Sequence, residues 1–138
     1  MLGALSSYLP QTEGLLAYWQ LIVAAAALFN SAQNFATLSL TRRIYNVKPA
    51  NVTALQARTF AVWTLASAVV RAYAAYNIHD KTIYDIAMFT YLIAFGHFSS
   101  EWLIFRTASL NPGLLSPVIV STTSLIWMFN QYSFYIKS

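Results

Sequence analysis

Residues 14–41, GLLAYWQLIVAAAALFNSAQNFATLSLT, lie between Glu13 and Arg42 and carry no charged side chain. These 28 residues exceed the roughly 20 that an α-helix needs to cross about 30 Å of hydrocarbon. The stretch is continuously apolar, whereas a membrane-barrel strand alternates apolar and polar residues over about 10 positions. It therefore predicts a transmembrane helix over residues 18–40.

The composition of the whole chain also indicates a membrane protein. Of its 138 residues, 58% are hydrophobic and only 9% are charged, and the mean hydropathy is +0.52. An ordinary soluble domain carries about 25% charged residues. The absence of cysteine excludes a disulfide framework and a thiolate metal site. We expect the net charge of +4 to arise from basic loops beside membrane spans, and no nucleic-acid partner is predicted.

Three further apolar stretches predict three further membrane spans. The predicted spans cover residues 59–78, 86–105 and 117–135. Pro112, Gly113 and Pro117 are expected to break the helix before the last of them. Connections of roughly 18, 7 and 11 residues are too short for a soluble domain and favour antiparallel neighbours. The predicted fold is an all-α membrane protein with four transmembrane helices in one compact antiparallel bundle.

The predicted bundle occupies residues 15–138 and follows a short extracytoplasmic tail, residues 1–14. A cleaved signal peptide is the main alternative for the first apolar segment. It is disfavoured because residues 1–14 contain no Lys or Arg to form a basic n-region and because the apolar stretch is long.

Lysine and arginine are distributed unequally between the two sides of the predicted bundle. The side with the first and third loops carries five: Arg42, Arg43, Lys48, Arg58 and Arg106. The other side carries Lys81 and Lys137. Under the positive-inside rule, the first side is cytoplasmic and both termini are lumenal. A glycosylation sequon at Asn51 argues against this orientation, because it could be modified only in the lumen.

The predicted spans contain polar residues, and a charge at the bilayer centre costs about 2.5 to more than 10 kcal/mol unless it finds partners. At about 1.5 Å per residue, Arg71 and Asn30 lie at about 20 Å and 18 Å from the cytoplasmic side, close enough to hydrogen-bond. Glu101 lies only about 8 Å deep and is too shallow to pair with Arg71. We predict one intramembrane polar layer formed by Asn30, Gln33, Asn34, Arg71, His97, Glu101, Ser121 and Thr122.

Two interpretations of this polar layer remain open. Interhelical hydrogen bonds of such residues contribute about 0.6 to 2 kcal/mol each and hold membrane helices in register. The alternative is a pocket for a polar group on a lipid or sterol. His97 and Glu101 also lie at i and i+4 on one helix face, where they could move a proton to or from a bound apolar substrate.

The sequence offers no site for a cofactor or metal, and none is predicted. Two His and four carboxylates cannot supply the histidine clusters of a membrane di-iron oxygenase. The four glycines are too widely spaced for a dinucleotide-binding turn. His97 lies in a helix beside Ser99 and Ser100 and points the wrong way for a catalytic triad.

Four blocks of sequence carry a pattern that is specific in order, spacing and membrane placement. They are LTRRIY at 40–45; ARTF at 57–60 with WT at 63–64 and VR at 70–71; HF at 97–98 with SE at 100–101 and IFRT at 104–107; and VSTTSL at 120–125 with WM at 127–128. Together they resemble the ergosterol biosynthetic protein 28 family over about residues 21–132.

The resemblance implies an endoplasmic reticulum membrane protein without catalytic activity, which holds together the enzymes that remove the sterol C-4 methyl groups. The implied partners are the C-4 methyl sterol oxidase, the sterol-4-carboxylate 3-dehydrogenase and the 3-ketosteroid reductase, sometimes with the C-24 sterol methyltransferase. The resemblance assigns no catalytic residue. We predict that this scaffold docks its partners or anionic headgroups on a cytoplasmic surface formed by Arg42, Arg43, Lys48, Arg58 and Arg106.

The competing hypothesis is a small membrane sterol isomerase, or a sterol-binding carrier, that uses His97 and Glu101 in the polar layer. Homo-oligomerisation is compatible with either function, because the small residues at 24–27 and 66–68 permit close approach of helices. They are equally suited to packing inside one chain.

Overall fold

A computed structural model describes residues 7–136, and the regular structure in that range is entirely helical. Six α-helices follow in order along this part of the chain: α1 Leu16–Ala36, α2 Ser39–Ile44, α3 Ala54–Tyr76, α4 Lys81–Leu103, α5 Pro112–Asn130 and α6 Tyr132–Tyr135. A 3-10 turn, Pro49–Asn51, lies between α2 and α3. The predicted all-α class is confirmed. Lys137 and the first six residues of the predicted tail lie outside the described residues.

Side-chain caps decide where the long helices begin. Thr53, Asp80 and Asn111 each accept a hydrogen bond from a backbone N–H two or three residues further on, at 3.1, 3.2 and 2.8 Å respectively. These bonds satisfy donors that the first turn of a helix leaves unpaired. As a result α3 and α4 each begin five residues before the predicted spans.

Proline does not delay the last long helix as the sequence suggested. Pro112 occupies the first turn of α5, where its missing N–H would be unpaired in any residue. Pro117 lies inside the helix and removes one backbone hydrogen bond, yet α5 continues to Asn130. The cap from Asn111 and the pre-set φ of Pro112 start the helix five residues earlier than predicted.

The first long helix ends earlier than its apolar run. Thr37 is extended, with φ −150° and ψ 154°, so α1 ends at Ala36 and the short helix α2 begins at Ser39. The hydroxyl of Thr41 in α2 donates to Oδ1 of Asn34 in α1 at 2.6 Å. Because both side chains are buried, this bond fixes the bend between the two helices.

The four long helices form two antiparallel pairs, α1 with α3 and α4 with α5. One end of the molecule, here called the tail end, joins the start of α1 to the ends of α3 and α5. There Tyr76 donates to the carbonyl of Tyr8 at 2.6 Å, and the N–H of Leu16 donates to the hydroxyl of Tyr135 at 3.2 Å. The opposite end, here called the basic end, contains α2, the 3-10 turn and the segment between α4 and α5.

Hydrogen bonds tie the α4–α5 pair to α1. Tyr84 in α4 donates to the carbonyl of Met128 in α5 at 2.6 Å. Tyr91 in α4 donates to Oε1 of Gln20 at 2.7 Å, and Nε2 of Gln20 donates to the sulfur of Met128 at 3.1 Å. Gln20 therefore connects three helices from a fully buried position.

The distribution of side chains is the reverse of that in a water-soluble bundle. Large apolar side chains point outward, including Leu28, Phe29, Val62, Phe89, Ile93, Ile119 and Phe129. The buried residues include eight polar or charged ones: Gln20, Ser31, Asn34, Thr41, Ser67, Arg71, Ser121 and Ser124. Many of the other buried positions are alanine, which lets helices approach closely.

Both predicted small-residue stretches, 24–27 and 66–68, contribute residues to this interior. Ala24, Ala27, Ser67 and Ala68 are buried within the chain itself. Since α1 and α3 share the most extensive helix–helix contact, these small residues serve internal packing.

By length and mean hydropathy, α5 is the one described helix that is long and apolar enough to cross a membrane. Its most apolar stretch has a mean hydropathy of 1.4, and only 22% of that stretch is buried. The helices α1, α3 and α4 have 21, 23 and 23 residues but a lower mean hydropathy, because each carries amide or charged side chains in its interior.

Candidate functional site

Two cavities lie at different heights in the bundle. The first, here called the central cleft, has a volume of about 450 Å³ and lies among α1, α3, α4 and α5. The second, here called the end pocket, has a volume of about 480 Å³ and lies at the basic end. Both are within the range of small-molecule sites, about 300 to 1,000 Å³.

Aromatic and small residues line most of the central cleft. Its walls include Trp19, Trp63, Tyr91 and Phe98 together with Ala26, Ala27 and Ala94. Trp19 is held in place by its indole N–H, which donates to Oγ of Ser124 at 2.8 Å. The cleft is therefore a mainly apolar space between the two helix pairs, which hydrogen bonds such as this one link to each other.

Arg71 is the charged residue deepest in the central cleft. It is 7% exposed, and its Nε donates to Oγ1 of Thr90 at 3.2 Å. The guanidinium carbon lies 4.0 Å from the ring centroid of Tyr91, a cation–π distance. The partners of Arg71 are thus a hydroxyl and an aromatic ring on α4, and the hydrogen bond to Asn30 that depth alone suggested is not formed.

The residues predicted as one polar layer do not lie together in the structure. Asn30 and Ser121 line the central cleft with Arg71. His97 and Glu101 line the end pocket. Asn34 is buried at the bend with α2. Gln33 is partly buried, and its backbone carbonyl accepts from Thr37. Thr122 is partly buried outside both cavities.

His97 and Glu101 in the end pocket each hydrogen-bond to a residue of a loop, one after α2 and one after α4. The hydroxyl of Tyr45 lies 2.5 Å from Nε2 of His97. The hydroxyl of Thr107 donates to Oε2 of Glu101, whose backbone carbonyl also accepts from the N–H of Thr107. Burial raises the pKa of the Tyr45 phenol, and the nearby Glu101 raises it further, so Tyr45 is protonated at neutral pH.

The two loops at the basic end are also joined directly. The N–H of Val47 donates to the carbonyl of Thr107 at 3.2 Å. Oδ1 of Asn46 accepts from both the N–H and the hydroxyl of Ser109, at 2.9 and 3.0 Å. With the Tyr45–His97 contact, these bonds attach the segment after α2 to the end of α4.

All five predicted docking residues are exposed, and all lie at the basic end: Arg42, Arg43, Lys48, Arg58 and Arg106. Lys48 and Arg106 border the end pocket, whereas Arg43 borders the central cleft. Arg106 has φ 56°, a left-handed conformation uncommon for a residue other than glycine. Glu101 is the one acidic side chain at this end among residues 7–136.

The tail end has the opposite balance of charge. Its described charged residues are Glu13, Asp80, Lys81 and Asp85. Lys81 and Asp85 form an ion pair at 2.6 Å, and the second carboxylate oxygen of Asp85 accepts from Tyr132 at 2.8 Å. The two ends therefore differ in net charge, with the positive charge concentrated beside the two loops.

The described residues contain no group of three or more His, Cys, Asp or Glu side chains arranged to hold a metal ion.

The sequence pattern did not identify Gln20, Thr90, Tyr45 or Thr107 as hydrogen-bond partners of residues at the two cavities. Gln20 and Thr90 are single polar residues in apolar runs, and the other two lie in loops. Their contacts depend on tertiary packing that hydropathy does not report.

Comparison with known proteins gives a consistent result. Residues 16–126 match the family described as Erg28 like protein. The chain is 47% identical to ergosterol biosynthetic protein 28 of Candida albicans over 138 residues, which cover 99% of this chain and 100% of that protein. It is 50% identical to the protein of the same name from Schizosaccharomyces pombe over 119 residues, 86% of this chain and 87% of that one.

Similarity extends to animals. The ergosterol biosynthetic protein 28 homolog of Mus musculus is 42% identical over 111 residues, 80% of this chain and 79% of that protein. No solved structure matches the chain.

Proposed function

The chain belongs to the Erg28-like family of ergosterol biosynthetic proteins, and from that premise we propose that it is a non-catalytic membrane scaffold of sterol biosynthesis. It assembles the enzymes of sterol C-4 demethylation in the endoplasmic reticulum membrane. The proposal joins three separate parts, which are membrane insertion, the absence of catalysis and the docking of enzymes.

Membrane insertion is supported by the reversed distribution of side chains, and this observation carries the proposal. Phe129 is 74% exposed, Phe29 66% and Ile93 63%, and in water such a surface would be a severe aggregation hazard. Lipid tails are the solvent that suits it. Buried Gln20, Asn34 and Arg71 need protein partners in such a medium because the hydrocarbon offers none.

The polar interior also explains why three of the four long helices have modest mean hydropathy. An average over a helix counts both faces, whereas only the outward face meets lipid. Gln20 and Asn34 in α1, and Ser67 and Arg71 in α3, lower the average from buried positions. The proposed architecture is therefore four membrane-spanning helices, of which α5 has the strongest signal in composition.

The charge difference between the two ends supports one orientation. The basic end carries five Lys or Arg side chains, whereas Lys81 is the single described one at the tail end. Under the positive-inside rule, the basic end faces the cytoplasm and both termini face the lumen. Asn51 then lies on the cytoplasmic side and carries no glycan.

The absence of catalysis is supported by the partners of the two residues best suited to acid–base chemistry. His97 and Glu101 hydrogen-bond to Tyr45 and Thr107, which attach the loops of the basic end. An isomerase would need these groups free to reach a substrate atom. The relatives are named as biosynthetic proteins and carry no reaction in their names.

The proposed scaffold role is supported by the family resemblance and by the surface that the fold presents. The proposed partners are the C-4 methyl sterol oxidase, the sterol-4-carboxylate 3-dehydrogenase and the 3-ketosteroid reductase, with the C-24 sterol methyltransferase as an occasional further partner. Holding successive enzymes together raises the effective concentration of each intermediate at the next enzyme. The exposed cations Arg42, Arg43, Lys48, Arg58 and Arg106 form the proposed docking surface.

Charge reversal tests this docking surface. Arg42→Glu with Arg43→Glu is expected to lower the amount of oxidase that co-purifies with the chain in mild detergent by about tenfold. Arg42→Lys with Arg43→Lys is the matched control, because it changes the same two exposed positions and keeps both positive charges. Unchanged association of the double variant would remove α2 from the docking surface.

A further inference from the structure

The central cleft contains positive charge that the described protein does not neutralise. No described carboxylate lies within ion-pair distance of Arg71, and none of the residues that line the cleft is acidic. The cleft has a second arginine, Arg43, toward the basic end. A cation in such a place is costly unless an anion accompanies it.

The guanidinium of Arg71 has hydrogen-bond donors that no described group uses. Nε is used by Thr90, and no described group accepts a hydrogen bond from either Nη atom. Two Nη groups form the planar fork that binds a carboxylate with two parallel hydrogen bonds. Arg71 is therefore prepared to bind one carboxylate.

The position of the guanidinium argues against a phospholipid headgroup as its partner. Arg71 lies five residues before the end of α3, but its side chain bonds to Thr90, nine residues and about 14 Å into α4. The side chain thus extends toward the middle of the bundle and does not snorkel to the nearer interface. A headgroup at the bilayer surface would not reach it.

The cleft is long and is lined by aromatic rings. Along α3 its lining runs from Phe60 to Arg71, eleven residues or about 17 Å. Aromatic rings of Trp19, Trp63 and Tyr91 face this space. The shape and lining suit an elongated, rigid apolar molecule whose polar group lies at one end.

We propose that the central cleft binds a sterol that carries one carboxylate, with the carboxylate on the guanidinium of Arg71 and the ring system between the aromatic walls. The sterol part of this inference rests on the proposed function, and the carboxylate part rests on the uncompensated charge. Such a ligand is supplied by a reaction that oxidises a sterol methyl group to a carboxylate. The scaffold would then hold an intermediate as well as the enzymes.

Direct binding tests the proposal. The full-length chain is placed in phosphatidylcholine nanodiscs and titrated with a tritiated sterol 4-carboxylic acid, with its methyl ester, and with palmitate. We expect the sterol acid to bind at least tenfold more tightly than the ester, because the ester has lost the charge-assisted hydrogen bonds. Arg71→Gln should remove that preference, and Arg71→Lys should retain part of it.

A second pair of variants leaves Arg71 in place, so the test does not depend on the folding of Arg71→Gln. Ala26→Trp fills the cleft from an exposed position on α1, and it should weaken binding of the sterol acid at least tenfold. Ala25→Trp is the matched control, since Ala25 is also exposed but does not line the cleft.

Four results would overturn the inference: equal binding of acid and ester, a preference for the acid that survives in Arg71→Gln, normal binding by Ala26→Trp, or palmitate binding as tight as that of the sterol acid. These failures are distinct from failure of the scaffold. Ala26→Trp should still co-purify with the oxidase, so loss of ligand binding with retained association would leave the scaffold proposal intact.

Discussion

The hydroxyl of Tyr45 lies 2.5 Å from Nε2 of His97, and this contact attaches the segment after α2 to α4. The two rings also meet edge to face, with centroids 5.8 Å apart. His97 is further surrounded by Trp63 and Phe98. The histidine that sequence analysis singled out for chemistry is thus part of an aromatic cluster that holds a loop.

Tyr45→Phe tests this structural role of His97. Removing one hydroxyl should lower the free energy of unfolding by about 1 kcal/mol and increase proteolysis of the segment between α2 and α3, while sterol synthesis in cells continues. Thermal unfolding in nanodiscs and limited proteolysis measure the effect. Tyr73→Phe is the control, because Tyr73 is exposed. Equal unfolding temperatures for the two variants would show that the contact contributes nothing.

Two substitutions of Glu101 test whether its carboxylate anchors a loop or acts as a catalytic acid. In Glu101→Gln the amide oxygen can still accept from Thr107, so stability should change by less than about 1 kcal/mol and cells should make sterols normally. Glu101→Leu leaves the Thr107 hydroxyl without its acceptor and should cost about 1 to 3 kcal/mol. Complementation of a cell lacking the chain, together with unfolding curves, provides the readout. If Glu101→Gln folded normally but failed to support sterol synthesis, the anchor role would be insufficient.

Gly14 occupies a position that only glycine suits. Its φ is 82°, and a Cβ there would collide with the hydroxyl of Tyr135, the same hydroxyl that accepts from Leu16. Gly14→Ala should therefore cost about 2 to 4 kcal/mol from backbone strain and the lost hydrogen bond. Gly96→Ala is the control, since a methyl group added there would have nothing within 4 Å, and it should leave stability unchanged or raise it by about 0.5 to 1 kcal/mol. Similar unfolding temperatures for both variants would contradict the tail-end packing.

The proposed orientation predicts the state of the sequon at Asn51. Because the basic end is proposed to face the cytoplasm, endoglycosidase treatment should not change the electrophoretic mobility of the native chain. A glycosylation tag added after the C-terminus through a spacer should, in contrast, acquire a glycan. The opposite result for both sites would invert the topology.

Hydropathy predicted the existence of the four long helices but not their limits. The apolar run through residue 41 gives no sign that Thr37 is extended, since the bend depends on the Asn34–Thr41 hydrogen bond. Pro117 suggested a helix start that the Asn111 cap places earlier. Local capping and tertiary hydrogen bonds decide such boundaries, and neither changes the hydropathy of the sequence.

Estimating the depth of each side chain from the helix rise was informative about some features of the candidate site and not about others. It separated Arg71 from Glu101, and the structure places them in different cavities. It could not choose among partners at the same depth, and the structure pairs Arg71 with Thr90 and Tyr91. Depth fixes the height of a side chain in a helix, whereas the partner depends on rotation about the helix axis and on which neighbour packs there.

The central claim is that this chain holds the enzymes of sterol C-4 demethylation together, and one measurement tests it most directly. The C-4 methyl sterol oxidase is isolated in mild detergent from cells with and without the chain, and the sterol-4-carboxylate 3-dehydrogenase that accompanies it is quantified. We predict that co-purification falls about tenfold without the chain and returns when the chain is restored. Equal co-purification in its absence, with both enzymes at normal levels, would contradict the account.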